Sequence, residues 1–275
     1  MSLRSASREA VTNLGHRRDE ICGTGASTEL LETIAGELYS VAALLVAQPR
    51  LRRTLGDPAT APERRAELVA GLFGGKVSQQ TVEIAKAAAS QRWSSPWDLA
   101  DALERTGDDT LFASAETQGQ LDTVEDELFR FERILDGAGE LSVLLDERSV
   151  DAQRRVGLLD SIIATKVQSI TLQLLRHAVS SDRKRSVRLA IDDLLDSAAA
   201  RKAQSVARVT TAVELSAQQQ ERLSAALTEL YGRPITVRTA VDQAIRGGLV
   251  VRVGDEVIDG SITSRLLQAR TALAG

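Results

Sequence analysis

The spacing of apolar residues changes once along this chain, from a helical period to an alternating one. Ser27 can cap a helix whose apolar side chains recur every three or four residues: Leu30, Leu31, Ile34, Leu38, Val41, Leu44 and Leu45. Stretches with the same period continue as far as residue 204, and proline or glycine residues divide them. A shorter helix is predicted over Ser5 to Arg18, weakened at its end by Gly15. The pattern therefore predicts a helical chain up to residue 204.

The helical part repeats itself at an offset of 90 residues. Without gaps, Glu37-Leu38 aligns with Glu127-Leu128 and Arg64-Arg65 with Arg154-Arg155, and the hydrophobic spacing agrees between the copies. Such agreement over several helices predicts a tandem duplication. Each helix has a narrow apolar stripe that it cannot bury alone, so we expect two tandem antiparallel helical bundles, over residues 1–116 and 117–204.

After residue 204 the apolar period falls to two, which is typical of strands. Residues 205–213 and 234–241 alternate in this way, and between them Ser216 and Gln219 form a capping box at the start of a helix. Two further short strands and a last helix follow. The order strand-helix-strand-strand-strand-helix predicts a small α+β C-terminal domain over residues 205–275.

The last part of the chain also contains a specific motif. In GGLVVRVGDEVIDGSITSRL, Gly247 and Gly248 permit positive φ or close backbone approach before a strand, Gly254-Asp255 marks a hairpin turn, and Ser261 can cap the last helix. The stretch resembles the C-terminal signature of the F-type ATP synthase delta subunit, the family of the mitochondrial oligomycin-sensitivity-conferring protein. The signature positions are Gly248, Gly254, Asp255, Asp259, Gly260, Ser261 and Arg265. A second stretch, ARVTTAVELSAQQ, is similar to the family over residues 207–219.

One feature departs from the family, which has a single helical domain where this chain has two. The first copy has the preceding helix that the family's six-helix layout requires, whereas the second copy is continuous with the C-terminal domain. Which copy has the family's N-terminal role is open at this point.

The resemblance implies a non-catalytic peripheral-stalk (stator) subunit of a proton-translocating F-type ATP synthase. Such a subunit links the catalytic alpha/beta head to the b subunits of the membrane sector and resists rotary torque. The implied partners are the N-termini of the alpha subunits and the C-terminal helices of the b subunits. A groove for alpha is expected at Ala6, Ala10, Leu14, Ile84 and Ala88. The implied location is the cytoplasmic face of the bacterial plasma membrane, where the subunit is peripheral.

Composition narrows the alternatives. The chain is 43% hydrophobic but only 3% aromatic, which favours aliphatic helix packing, and its charges are interspersed with a net of −4, so nucleic acid is not an expected partner. No run of about 18 apolar residues predicts a membrane span, so membrane association is expected only through the complex.

No catalytic, cofactor or metal site is predicted from the remaining residues. Gly74-Gly75-Lys76 lacks the other parts of a phosphate loop and is interpreted as a helix stop. The only histidines, His16 and His177, lie in different elements, and the single cysteine, Cys22, has no partner motif. A free-standing helical-repeat adaptor that binds another amphipathic helix is the alternative function.

Overall fold

The computed structural model describes residues 5–23, 25–181, 186–204, 206–231, 235–242, 245, 247–253 and 256–260. The first copy of the repeat contains α1 (Ser5–Cys22), α2 (Thr28–Ala47), α3 (Pro49–Gly56), α4 (Pro62–Phe73), α5 (Gln79–Ser90) and α6 (Pro96–Thr117). The second contains α7 (Leu121–Gly137), α8 (Gly139–Asp146), α9 (Ala152–Ile163), α10 (Ser169–Ser180) and α11 (Val187–Gln204). The C-terminal elements are β1 (Val206–Thr211), α12 (Ala217–Tyr231), β2 (Thr236–Val241), β3 (Leu249–Val253) and β4 (Glu256–Asp259).

The predicted fold class is confirmed, because the chain is mainly helical with a small mixed sheet near its end. It divides into two compact units, Met1–Asp196 and Ser197–Gly275. Both helical copies lie largely in the first unit. Helix α11 crosses the border between the units.

The helices of the two copies match in length and position. Helices α3, α4 and α5, when shifted by 90 residues, fall on the bounds of α8, α9 and α10. Shifting α1 by the same amount places it on residues 95–112, which lie almost entirely within α6. Helix α6 is thus the last helix of the first copy and also takes the place of a first helix in the second. In keeping with this double role, α1 packs on α5, and α6 packs on the equivalent helix α10.

Helix α1 is longer than the sequence predicts. It continues through Gly15 to Cys22, four residues beyond the expected end at Arg18. The Arg18 side chain is buried, and Ile21 and Cys22 pack against the core of the first bundle. This packing offsets the roughly 1 kcal/mol that a glycine costs inside a helix, which is why a local breaker does not end it.

Helix α2 is the central helix of the first bundle. Ser27 caps its start, as predicted, because the Ser27 hydroxyl accepts a hydrogen bond from the Leu30 N–H at 3.2 Å. Among the described residues, α2 alone is long and apolar enough to span a membrane by length and composition. Its apolar side is buried in the bundle at Leu31, Ile34, Ala35, Leu38, Val41, Ala42 and Leu45. The apolar character of α2 is therefore that of a core helix.

In the C-terminal unit, four strands form a sheet in the order β2-β1-β3-β4. Strand β1 pairs parallel with β2, and α12 connects them, whereas β3 and β4 pair antiparallel with Val253 opposite Glu256. The predicted capping box is present at the start of α12, since the Ser216 N–H donates to Gln219 Oε1 at 2.9 Å and the Gln219 N–H donates to Ser216 Oγ at 3.3 Å. Apolar side chains of β1, β3 and α12 form a separate small core.

Candidate functional site

The five residues predicted to form the groove for alpha come together where α1 packs on α5. Ala10, Leu14, Ile84 and Ala88 are at most 3% exposed, and Ala6 is half-buried at the edge. These four buried side chains hold α1 against α5, so they form a closed seam, which we call the α1–α5 seam. The surface that a partner can reach is the rim of this seam.

An open cleft of about 670 Å³ lies at the rim of the α1–α5 seam. Its lining comes from one side of α1 and from the loops that precede α4 and α6: Ala6, Glu9, Ala10, Asn13, Pro58, Gln91, Arg92, Trp93 and Ser94. The Trp93 indole is 4% exposed and donates to the Ala88 carbonyl at 2.9 Å. The Ser7 hydroxyl donates to Asp98 at 2.6 Å and accepts from the Ser94 N–H at 3.0 Å. The cleft thus has a fixed wall.

Sequence patterns do not predict this cleft. The Trp93 side chain is buried and its bond to the Ala88 carbonyl fixes the loop at the mouth of the cleft. Asn13 and Glu9 are polar and exposed on α1, and no sequence pattern distinguishes them from other solvated positions.

The equivalent seam of the second copy lies between α6 and α10, and α2 covers it. The Gln173 amide of α10 donates to Glu32 of α2 at 2.8 Å. One turn further along α10, the His177 ring stacks on Tyr39 with 3.6 Å between ring centroids and 9° between planes. The Tyr39 hydroxyl in turn donates to Asp108 of α6 at 2.7 Å. A helix therefore already crosses the α6–α10 seam, in contrast to the open rim of the α1–α5 seam.

Both copies contain an equivalent network of hydrogen bonds around a glutamate. The Glu37 carboxylate accepts from the Ser78 N–H at 2.9 Å and from the Thr81 hydroxyl at 2.6 Å. At the positions 90 residues on, Glu127 accepts from the Gln168 N–H at 3.0 Å and from the Thr171 hydroxyl. Each glutamate thereby binds the start of a helix, where a carboxylate is favoured by the helix dipole. The network joins the first long helix of each copy to α5 or α10.

A second shared feature is a buried arginine. The Arg65 guanidinium donates to the carbonyls of Leu55 at 3.2 Å and Gln91 at 2.9 Å, and Arg155 donates to the carbonyls of Leu145 at 3.5 Å and Val179 at 2.9 Å. Burial lowers the pKa of Arg65 from its usual value. Each arginine joins two neighbouring segments of its bundle, because it binds carbonyls near helix ends, where carbonyls lack a partner within the helix.

Ionisable groups elsewhere in the helical unit favour structural functions. Burial raises the pKa of the Cys22 thiol, which lowers its nucleophilicity at neutral pH. Burial, and then the neighbouring Asp108 carboxylate, raise the pKa of Tyr39 well above its usual value. A hydrogen bond with Asp192 raises the pKa of Glu132, and loss of solvation adds to the effect.

The signature residues that the structure describes shape the backbone around β3 and β4. Gly247 and Gly248 have φ values of 129° and 80°, so positive φ, one of the two reasons considered for these glycines, is present. The Gly260 N–H donates to the Leu249 carbonyl at 2.9 Å, and a Cβ at Gly260 would lie 3.2 Å from the same oxygen. Asp259 pairs with Val250 across the hairpin. Gly254, Asp255, Ser261 and Arg265 lie outside the described residues.

The alternative chemical interpretations find no support in the parts of the chain that are described. Helix α4 ends at Phe73, and Gly75 follows with a φ of 72°, as expected of a helix stop. No group of three or more metal-binding side chains occurs among the described residues. His177 stacks on Tyr39, whereas His16 lies on the exposed side of α1.

The fold defines a helical scaffold protein with two copies of a helical bundle and a small mixed sheet. The family model for the ATP synthase delta (OSCP) subunit matches residues 109–273, beginning within α6. The ATP synthase subunit delta of Corynebacterium urealyticum is 43% identical over 99% of this chain and 100% of its own length. The proteins of the same name from Streptomyces griseus and Rhodococcus opacus are each 41% identical, cover 99% of this chain, and match over 100% and 99% of their own lengths.

The chain belongs to the ATP synthase delta (OSCP) subunit family. This membership confirms the predicted function of a non-catalytic peripheral-stalk subunit of an F-type ATP synthase, which is a membrane-associated complex. Because the relatives align over nearly the whole chain, both helical copies occur within the aligned length. A chain of the Toxoplasma gondii mitochondrial ATP synthase hexamer is 25% identical and covers 61% of this chain and 95% of its own, with a TM-score of 0.30, which is too low to bear on the fold.

Proposed function

We propose that the first helical copy binds the N-terminal segments of the alpha subunits at the rim of the α1–α5 seam. The C-terminal unit then binds the C-terminal helices of the b subunits, and the complex lies on the cytoplasmic face of the bacterial membrane. One observation supports the choice between the copies: α2 already crosses the α6–α10 seam, while the α1–α5 seam has an open cleft at its rim.

The crossing of α2 over the α6–α10 seam is an internal example of a helix bound in such a groove. Gln173 and His177 of α10 contact α2. Their equivalents on α5 are Glu83 and Ala87, which are half-buried. The small Ala87 side chain permits close approach of a second helix, and Glu83 pairs with Lys86 at 2.8 Å. Glu83 and Ala87 do not line the cleft, so in this proposal the incoming amphipathic helix lies between this side of α5 and the cleft, in a helix-in-groove arrangement.

In this proposal the second copy lengthens the connection between the alpha site and the C-terminal unit. Its glutamate and arginine contacts repeat those of the first copy, so the spacer has internal hydrogen bonds equivalent to those of the binding bundle. A connection that resists torque requires this, because the weakest bundle in series sets the stiffness of the whole.

Binding of an alpha-subunit peptide to the full chain tests the proposal. A labelled synthetic peptide of the alpha N-terminus, taken from the same organism, is titrated with the chain, and fluorescence anisotropy gives the Kd. Asn13 lines the cleft, so Asn13→Arg should weaken binding by about tenfold or more through steric exclusion, which corresponds to about 1.4 kcal/mol. Thr12→Arg is the matched control, because Thr12 is exposed on α1 and does not line the cleft.

Equal affinities for the two variants would place the alpha site elsewhere. The same conclusion would follow if the peptide remained bound when the cleft was blocked by Ala6→Arg.

A further inference from the structure

Three arginines lie side by side across the C-terminal sheet. Arg208 of β1 is directly opposite Arg238 in the parallel pairing with β2 and directly opposite Arg252 in the antiparallel pairing with β3. All three residues are exposed. Successive side chains of a strand point to opposite faces, and Val209 and Val251 belong to the small core on the side of α12. The three arginines therefore lie on the other face of the sheet, and we call them the arginine row.

The arginine row carries an excess of positive charge. Neighbouring strands are about 4.8 Å apart, and like charges directly opposite each other destabilise a sheet. Among the residues that the structure describes, no ion pair involves any of the three arginines. Asp259, a carboxylate on the same face, lies opposite Val250 and not opposite an arginine. The row thus has a cost in the free chain, and a negatively charged partner would remove that cost.

Apolar side chains flank the arginine row. Val206 and Val250 are half-buried and lie on either side of it, and Val257, which is 53% exposed, is opposite Arg252 at one end. The described part of this face has no aromatic residue, whereas surfaces for single-stranded nucleic acid combine positive charge with stacking rings. Lipid-binding basic clusters have about four to eight Lys or Arg residues. The mixture here favours a protein segment with both carboxylates and an apolar side.

The spacing of the arginine row fits a helix that lies across the strands. Arg238 and Arg252 are separated by two strand spacings, about 10 Å. Two residues seven positions apart in an α-helix are about 10.5 Å apart along its axis, and a residue three or four positions after the first lies between them on the same side. Carboxylates at these three positions can each face one arginine, and a guanidinium can bind a carboxylate with two parallel hydrogen bonds.

We infer that the arginine row binds the acidic side of an amphipathic helix of the b subunits. This helix has carboxylates at positions i, i+3 or i+4, and i+7, with apolar residues beside them that contact Val206 and Val250. The inference rests on the proposed function, which assigns the b helices to the C-terminal unit without naming a surface. It adds the surface, the charge pattern of the partner, and Arg208 as the central contact.

The substitution Arg208→Glu in the full chain tests the inference, because it should change stability and binding in opposite directions. A glutamate between Arg238 and Arg252 converts two like-charge pairs into opposite-charge pairs, so the melting temperature should rise. The affinity for b should fall by about tenfold or more, because a carboxylate then faces a carboxylate. The probe is a purified C-terminal helical fragment of b from the same organism, and isothermal titration calorimetry gives the Kd. A purely structural role of Arg208 cannot explain a more stable chain that binds more weakly.

Arg222→Glu is the matched control. Arg222 is exposed on α12, which packs on the core side of the sheet, and the change in net charge is the same. Its affinity for the b fragment should equal that of the wild type. Arg238→Glu, at the edge of the sheet, is a second test and should also weaken binding. Added salt should weaken the wild type more than Arg208→Glu, since the wild type alone has the full set of charge pairs.

The possible failures of this test are distinct. If the b fragment binds the wild type and Arg208→Glu equally well, the inference is wrong, while the assignment of b to the C-terminal unit stands. If the b fragment does not bind the wild type, that assignment is wrong and the inference falls with it. The inference is also overturned if Arg208→Glu abolishes binding to phosphatidylserine vesicles or dimerisation of the chain but leaves the affinity for b unchanged. A membrane or a second copy would then cover the row.

Discussion

Replacing Gly107 by alanine should destabilise the helical unit although alanine is the better helix former. Gly107 lies in the middle of α6, and the Tyr39 ring of α2 rests directly on it. An added Cβ would lie 2.6 Å from Tyr39 Cε1 and 2.9 Å from Cδ1, whereas carbon atoms in good contact are about 3.5–4.0 Å apart. The ring would have to move by about 1 Å. It is held on its other sides by the 2.7 Å bond to Asp108 and by the stacked His177 ring.

The magnitude follows from two opposing effects. Overpacking of this kind costs about 1–3 kcal/mol, and replacing glycine by alanine inside a helix contributes about 1 kcal/mol in the other direction. The net loss in the free energy of unfolding should be between about 0 and 2 kcal/mol, and the tight hold on the Tyr39 ring favours the upper end. For a unit of this size the melting temperature falls by about 2–4 °C for each kcal/mol. Thermal and urea unfolding, followed by circular dichroism, measure both quantities.

Gly71→Ala is the matched control, because Gly71 lies in α4 with no atom within 4 Å of an added Cβ. It should stabilise the chain by up to about 1 kcal/mol. The decisive comparison is Gly107→Ala in a Tyr39→Ala background, where the ring is gone and the substitution should become stabilising. If Gly107→Ala destabilised the chain equally in both backgrounds, the steric reasoning would be wrong.

Three further outcomes can be measured on the same chain. Glu132→Gln should raise the free energy of unfolding at pH 7. The raised pKa of Glu132 means that the fold favours the protonated side chain, so the stability it contributes is complete below about pH 4.3 and is lost as the pH rises through the pKa in the folded state. The advantage of Glu132→Gln over the wild type should therefore vanish near pH 4. Cys22 should react with iodoacetamide more slowly than glutathione does at about pH 7.5, because burial raises its pKa; an equal or faster rate would contradict this. Arg65→Lys should lower the free energy of unfolding, measured with urea, by about 1–3 kcal/mol, because lysine lacks the forked guanidinium that reaches several carbonyls. Arg155→Lys should lower it by a similar amount. A loss at only one of the two sites would show that the two arginines are not equivalent.

Local signals along the sequence are sufficient to predict much of the fold. The capping box at Ser216 and Gln219 and the positive φ of Gly247 and Gly248 depend on neighbouring residues only, so the order of residues along the chain is enough to predict them. The end of α1 is a different case, because burial of Arg18 and the contacts of Ile21 and Cys22 come from other helices.

The candidate site shows the limit of local patterns. The family resemblance groups Ala10, Leu14, Ile84 and Ala88 as part of a groove for alpha, and the structure buries all four. Spacing cannot tell whether a stripe is buried between two helices of the same chain or left for a partner, and here it is buried. The contact of Tyr39 with His177 is equally beyond local patterns, because it joins residues in different copies of the repeat.

One signal for the arrangement of the copies is nevertheless present in the sequence. The 90-residue offset, when applied to the first helix as well as to the others, places it on residues 95–112 and so points to α6. The start of the family match at residue 109, inside the same helix, agrees with this placement.

The double use of α6 has a mechanical consequence. Where two domains are joined by a loop, the joint is a hinge, and its bending is limited only by weak surface contacts. Here the first and second copies have one continuous helix in common, and at 1.5 Å per residue its 22 residues extend for about 33 Å. Bending between the copies would therefore require breaking backbone hydrogen bonds in the middle of a helix. The second copy therefore lengthens the helical unit without adding a flexible joint between the two copies.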